Sequence, residues 1–194
     1  MDELFKYYRE SLVDGLCDEY KGYWQAASHD KDKLVRLAMS QQAIPHVATY
    51  MYEGRGLTKD FLLREFGQYL NGYVIRDADN VEGYTYAWYV DYDCVNDIDI
   101  NTDVAHVSNT IGADIVIPKT KCPTIYVSNR SNIHVVCEGY NNIRLYLFDK
   151  SKVILEDIPQ ECEITIYKYS KECKCIISKY CFGKVNEHNK ELRL

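Results

Sequence analysis

A recurring eight-residue step constrains this chain more than any other feature. Ile117, Ile125 and Ile133 are eight residues apart, as are Val107 and Ile115, Val127 and Val135, Leu145 and Val153, and Leu147 and Leu155. The step lengthens to ten or eleven near Gly139-Tyr140 and near Ile158-Pro159. The runs that carry it are DIDI (97–100), AHV (105–107), DIVI (114–117), TIYV (124–127), NIHVV (132–136), NIRLYLF (142–148), KVILE (152–156), EITIY (163–167) and CKCII (173–177). They are short, β-branched or aromatic, and separated by Asn, Asp, Ser, Gly and Lys. Such short steps of strand and turn predict a β-solenoid, in which each coil stacks on the last and buries a row of aliphatic side chains. A β-sandwich is the alternative, since its strands recur every roughly 8–12 residues. Against it stands the scarcity of Asn-Gly and Asp-Gly hairpin pairs, which antiparallel neighbours favour.

The first seventy residues have the other period. Leu4, Phe5, Tyr8, Leu12, Val13 and Leu16 recur at three and four, the apolar stripe of a helix that needs a partner. Asp32 is a candidate cap for a helix through Leu34, Val35, Leu37 and Ala38, and Pro45 suits the first turn of one covering Val47 to Tyr52. Gly54-Arg55-Gly56 breaks the chain, Thr58 can cap a last helix through Phe61, Leu62, Glu65, Phe66 and Tyr69, and Asn71-Gly72 ends it. The expected fold class is therefore α+β. A helical region spans 1–71, and a short-rung β-solenoid with a polar C-terminal tail beyond about residue 181 spans 72–194.

Bulk properties narrow the functions. No run approaches the roughly 18 apolar residues of a membrane helix, and MDELFKYYRES lacks the apolar stretch of a signal peptide. Synthesis in the cytoplasm without a membrane partner is the expectation. The eight cysteines then read as free thiols rather than disulfides. Zinc would favour paired CxxC ligands, whereas only Cys173 and Cys175 lie close. The net charge of −6 is uneven: residues 71–120 hold 2 basic and 9 acidic side chains, residues 121–194 hold 12 and 9. This suggests complementary ends or a weakly basic surface near the C-terminus. Nucleic acid is not an expected partner, because the one helix suited to DNA reading, Leu57 to Leu70, sets Asp60 and Glu65 beside Lys59 and Arg64.

The phrases GYNNIRLYLFDKSKVILED and NRSNIHVVCEGYNN resemble degenerate versions of a short repeat, x-Asn-Ala-x-Val-x-Ala-Tyr-Asp. That repeat occurs in uncharacterised proteins of gut Bacteroidales and their phages or mobile elements, where a helical leader precedes a solenoid. Ile, Leu and Cys here replace the small residues of the regular form. The resemblance covers about residues 72–181 and implies a structural or interaction role, on a virion for instance, and no catalysis.

Several constellations invite chemistry. Asp91, Asp93, Asp97, Asp99 and Asp103 lie close in sequence, and hard cations need converging oxygens. An EF-hand core would need an acid or Asn at Val95, so Asp91, Asp93 and Asp97 are at most a fallback metal set. A small hydrolase using the Asp cluster needs a cleft between two carboxylates that short turns do not build. His106 and His134 can meet if they share a solenoid face. No GxSxG elbow and no phosphate loop is present. No cofactor is expected.

The aromatic surface remains. The chain holds eighteen tyrosines, and YTYAWYV (84–90) alternates its rings. Tyrosine gives amphipathic contacts suited to proteins and sugar rings, although the same rings can stack in ladders along a solenoid. The candidate ligand-binding residues are Tyr84, Tyr86, Trp88, Tyr126 and Tyr146. Lys168, Lys171, Lys174, Lys179 and Lys184 among the last aromatics read as protection of an edge strand. The expected function is a non-enzymatic structural or interaction protein that forms a homo-oligomer or joins a larger particle. A carbohydrate-binding module using aromatic strand faces is the alternative.

Overall fold

The computed structural model describes residues 9, 18–27, 30–77, 83–92 and 96–191. The stripe from Leu4 to Leu16, together with His29, Asp93 and Cys94, lies outside them. Among the described residues from Asp18 on, four helices come first: α1 (Asp18–Ala26), α2 (Lys31–Ala38), α3 (Ile44–Glu53) and α4 (Lys59–Phe66), the last followed by a 3-10 turn over Gly67–Tyr69. The cap of α2 is Asp30 rather than Asp32. Asp30 has the extended backbone that a cap requires, and its carboxylate accepts the Lys33 amide, while Asp32 sits in the first turn. Pro45 occupies the first turn of α3, Gly54 ends it at φ 69°, and Thr58 caps α4 by accepting the Phe61 amide.

The rest of the chain is a β-solenoid of about five turns. One sheet holds β1 (Ile75–Arg76), β2 (Thr85–Val90), β4 (Val104–Ser108), β6 (Thr124–Ser128), β8 (Asn142–Leu147), β10 (Glu163–Lys168) and β12 (Lys184–Asn189). The other holds β3 (Ile98–Asp99), β5 (Ile111–Ile117), β7 (Asn132–Cys137), β9 (Lys152–Leu155) and β11 (Lys174–Ile177). Every neighbouring pair is parallel except β1 on β2, which excludes a hairpin-built sandwich.

The registers explain the eight-residue step. Ile117, Ile125 and Ile133 lie on β5, β6 and β7, so a step of eight crosses from one sheet to the other. A full coil returns after about twenty residues: Ala105 pairs with Ile125, and Ile125 with Leu145. Inward side chains therefore form columns, such as Val107, Val127 and Leu147 in the first sheet and Ile115, Val135 and Leu155 in the second, all fully buried. One corner of each of the first four coils is turned by a short polar residue in the left-handed region: Asp91, Asn109, Asn129 and Asp149, at φ of 50°, 52°, 61° and 55°. Asn and Asp tolerate that conformation at the least cost after glycine.

The two ends of the solenoid differ. At the start, residues 71–77 close the outer edge of β2. The Asn71 amide donates to the Trp88 carbonyl, the Asn71 side chain pairs with both backbone groups of Val90, and the Asp77 amide donates to the Tyr84 carbonyl. At the finish, the stretch read as a polar tail forms β12, parallel to β10. Its pattern escapes notice because a terminal strand is covered on one side only, and Val185 is its one aliphatic residue. The helices pack against the outer face of the first sheet. Ile44, Val47, Tyr50, Met51, Leu62 and Phe66 share a second core with Trp88, Val90, Tyr126 and Phe148.

Candidate functional site

Outward residues of the first sheet form a ring column. Strand register aligns Trp88, His106, Tyr126, Tyr146, Tyr167 and His188. Trp88 stacks on His106 at 5.1 Å between ring centres, Tyr126 on Tyr146 at 4.9 Å, Tyr146 on Tyr167 at 4.8 Å and Tyr167 on His188 at 5.3 Å. These spacings follow the strand spacing of a sheet, so the rings stack because the coils do. The ladder expected for the tyrosines is thus present.

The helices cover the first half of this column, and that decides which rings can meet a ligand. Trp88 is 2% exposed, its indole N–H donates to Ser108 Oγ at 3.1 Å, and Tyr126 is also buried. Of the candidate ligand-binding rings, Trp88 and Tyr126 are thus covered, and β2 turns Trp88 toward the helices. Its outward side is the landing place of the helices. Tyr146 is half-buried in the ladder, and Tyr84 stays 40% exposed just before β2. Tyr86, the remaining candidate, lines a cleft of about 530 Å³ with Tyr20, Tyr23, Arg36, Leu37 and Asp77.

The histidines separate. His106 faces out from the first sheet beneath the helices, with Nε2 2.9 Å from Ser128 Oγ and 3.0 Å from Ser108 Oγ. His134 faces out from the second sheet, where Nδ1 lies 2.9 Å from Glu156 and 3.5 Å from Asp114. The two cannot meet, because an even strand of one sheet and an odd strand of the other turn their outer faces away from each other.

The acids are placed structurally. Asp91 turns a corner and pairs with Lys59 at 2.6 Å, Asp97 and Asp99 are exposed around β3, and Asp103 accepts both the amide and the hydroxyl of Thr85 at 2.8 Å, tying two coils together. Asp93 lies outside the described residues. Among the described residues no three His, Cys, Asp or Glu side chains form a metal-sized group. Cys173 packs in a buried corner against Ser151 and the Asp149 carbonyl, whereas Cys175 faces the core and burial pushes its thiol up to about 12. Burial likewise raises Cys137 and Cys162, leaving protonated thiols rather than nucleophiles. Among the described residues no helix is long and apolar enough to cross a membrane.

The exposed apolar cluster on the last coil is the part that sequence reasoning missed. Ile177 continues the buried column of Leu155 yet is 49% exposed, since among the described residues no further coil covers it. Ile176, Tyr180 and Phe182, the last at 66%, are exposed beside it. At the same end Glu187 sits in register with buried Ile166 and pairs with Lys168. Lys174 and Lys184 are exposed on the two terminal strands. The signal was present as CKCIISKYCF, an apolar cluster where the step runs out.

Among the described residues this architecture is a helix-covered, two-sheet β-solenoid with one closed end and an uncovered last coil. No family model, curated protein or solved structure matches the chain.

Proposed function

We propose that the protein is a non-enzymatic interaction module that docks on a larger protein assembly through its last coil. The observation that carries this reading is the exposed group Ile176, Ile177, Tyr180 and Phe182 on the terminal coil, in a solenoid whose other inward columns are buried. Clustered apolar side chains of this kind mark protein contacts.

The geometry favours a different protein over endless self-stacking. Residues 71–77 already occupy the edge of the first sheet on which another copy would have to stack. Inward Glu187 and edge lysines guard the open end against indiscriminate strand pairing. The partner that fits contributes an apolar patch flanked by a carboxylate, which exposed Lys174 attracts, Lys184 being paired with Glu163. A phage particle is the assembly that the resemblance of the repeats puts forward.

A photocrosslinking residue at Phe182, compared with one at exposed Ile111, tests the reading in cells that make the protein. One dominant partner adduct at 182, absent at 111 and lost on adding Ile177→Lys, is the expected result. Equal adducts at both positions, or adducts only between copies of this chain, would contradict it.

A further inference from the structure

The two strands that end the stack differ in what they offer another chain. β11 is the last strand of the second sheet and β12 the last of the first. β12 sets Val185, Glu187 and Asn189 in register with Ile164, Ile166 and Lys168, and Glu187 pairs with Lys168. A further strand laid on β12 would bury that carboxylate beneath it, at a desolvation cost that the pair does not repay. β11 sets Cys175 and Ile177 in register with Val153 and Leu155 of the buried column, and no charge stands among them. Among the described residues the edge of β12 is guarded and that of β11 is open.

The backbone of β11 has one side to spare. The Lys174 amide donates to the Ser151 carbonyl and the Ser178 amide to the Leu155 carbonyl, so the even-numbered residues face β9. In a parallel pair the alternate residues turn their N–H and C=O groups the other way. Those of Cys175 and Ile177 therefore point to the free edge, where no described strand lies. An extended segment placed there meets both backbone groups of each residue, and two of its aliphatic side chains, spaced two residues apart, cover Cys175 and Ile177.

The charges on the outer face select the sequence of that segment. Lys174 stands in register with Lys152, and neither forms an ion pair among the described residues. Neighbouring Glu172 is already paired with Lys150 at 3.3 Å, and Lys171 beside it is exposed. Like charges side by side on adjacent strands repel, and a carboxylate set next to Lys174 on the following strand offsets that repulsion. A strand that brings a third lysine to the row is disfavoured for the same reason. We infer that the partner adds one extended segment to β11, parallel to it, with a carboxylate opposite Lys174 and aliphatic side chains opposite Cys175 and Ile177. The inference rests on the docking reading above and names the form that the partner takes.

The test titrates the whole protein with a fluorescent, end-capped peptide, SEVILQS, which repeats the inward valine and leucine of β9 and sets glutamate opposite Lys174. Saturable binding is expected, weakened about tenfold in SKVILQS. The preference reverses in Lys174→Glu, which a misfolded variant would not do. N-methyl groups separate an added strand from a loose apolar contact. On the glutamate and isoleucine amides, which face β11 in this register, they abolish binding, and on the valine and leucine amides they leave it in place. Absence of binding, equal affinity for the two peptides, or equal effects of the two methylation patterns would overturn the inference. An adduct at 182 that persists while the peptide fails to bind refutes the added strand and spares the docking reading. Peptide binding with no partner adduct at 182 supports the added strand and refutes that reading.

Discussion

His106 offers a test of whether the helices truly seal the first sheet. Its ring is fully buried, stacked at 10° to Trp88, with Nε2 shared between two serine hydroxyls and Nδ1 without a partner. Burial alone lowers its pKa from 6.5 to about 3. Between those values the unfolded chain binds a proton that the folded protein refuses. The stabilising contribution is complete above pH 6.5 and is lost as pH falls toward 3. At 1.36 kcal/mol per unit, the loss between pH 7 and pH 4 is roughly 3 kcal/mol. His106→Phe keeps a ring over Trp88, leaves Ser108 and Ser128 to bond each other at 3.1 Å, and removes the titration. Urea unfolding of both proteins at pH 7 and pH 4, followed by tryptophan fluorescence, isolates the difference from the carboxylates common to both. The variant should lose roughly 3 kcal/mol less than the wild type over that interval. Equal losses, or an NMR titration of His106 near 6.5, would refute the burial argument.

Other substitutions probe the coil. Leu145→Ala empties a fully buried column position and should cost about 3 kcal/mol by chemical denaturation. Asn129→Ala loses the bond from Nδ2 to the Ala48 carbonyl and strains a corner at φ 61°, costing about 2 kcal/mol, and Asn129→Gly should recover about half of that by relieving the backbone. Exposed Cys122 should be alkylated well before buried Cys137 and Cys162, followed peptide by peptide in mass spectra, and equal rates would contradict their burial. Ile177→Lys should change stability by less than about 0.5 kcal/mol, since the side chain is half exposed, while abolishing adducts at 182.

What the sequence disclosed and concealed follows from the range of each interaction. The aliphatic step was readable because Ile117, Ile125 and Ile133 all point into one core, whichever sheet they belong to. The length of the coil was concealed by the same fact. Its marker was the corner set Asp91, Asn109, Asn129 and Asp149, which repeats at nearly the coil length. Thr58 and Pro45 act within one helical turn and were legible locally. The burial of Trp88 was not, since it depends on where α2, α3 and α4 land, and no local pattern encodes that. The cleft beside Tyr86 joins Arg36 to Asp77 across forty-one residues, and of its lining only Tyr86 stood out beforehand.

The docking role of the last coil is the central claim, and amide hydrogen exchange tests it most directly. In the free protein β11 and β12 should exchange faster than the doubly flanked strands β5 to β8, whose neighbours cover both edges. In the assembled state, protection should appear over residues 174–189 and change little elsewhere. Protection confined to the helices or to the outer face of the second sheet, with the last coil unchanged, would contradict it.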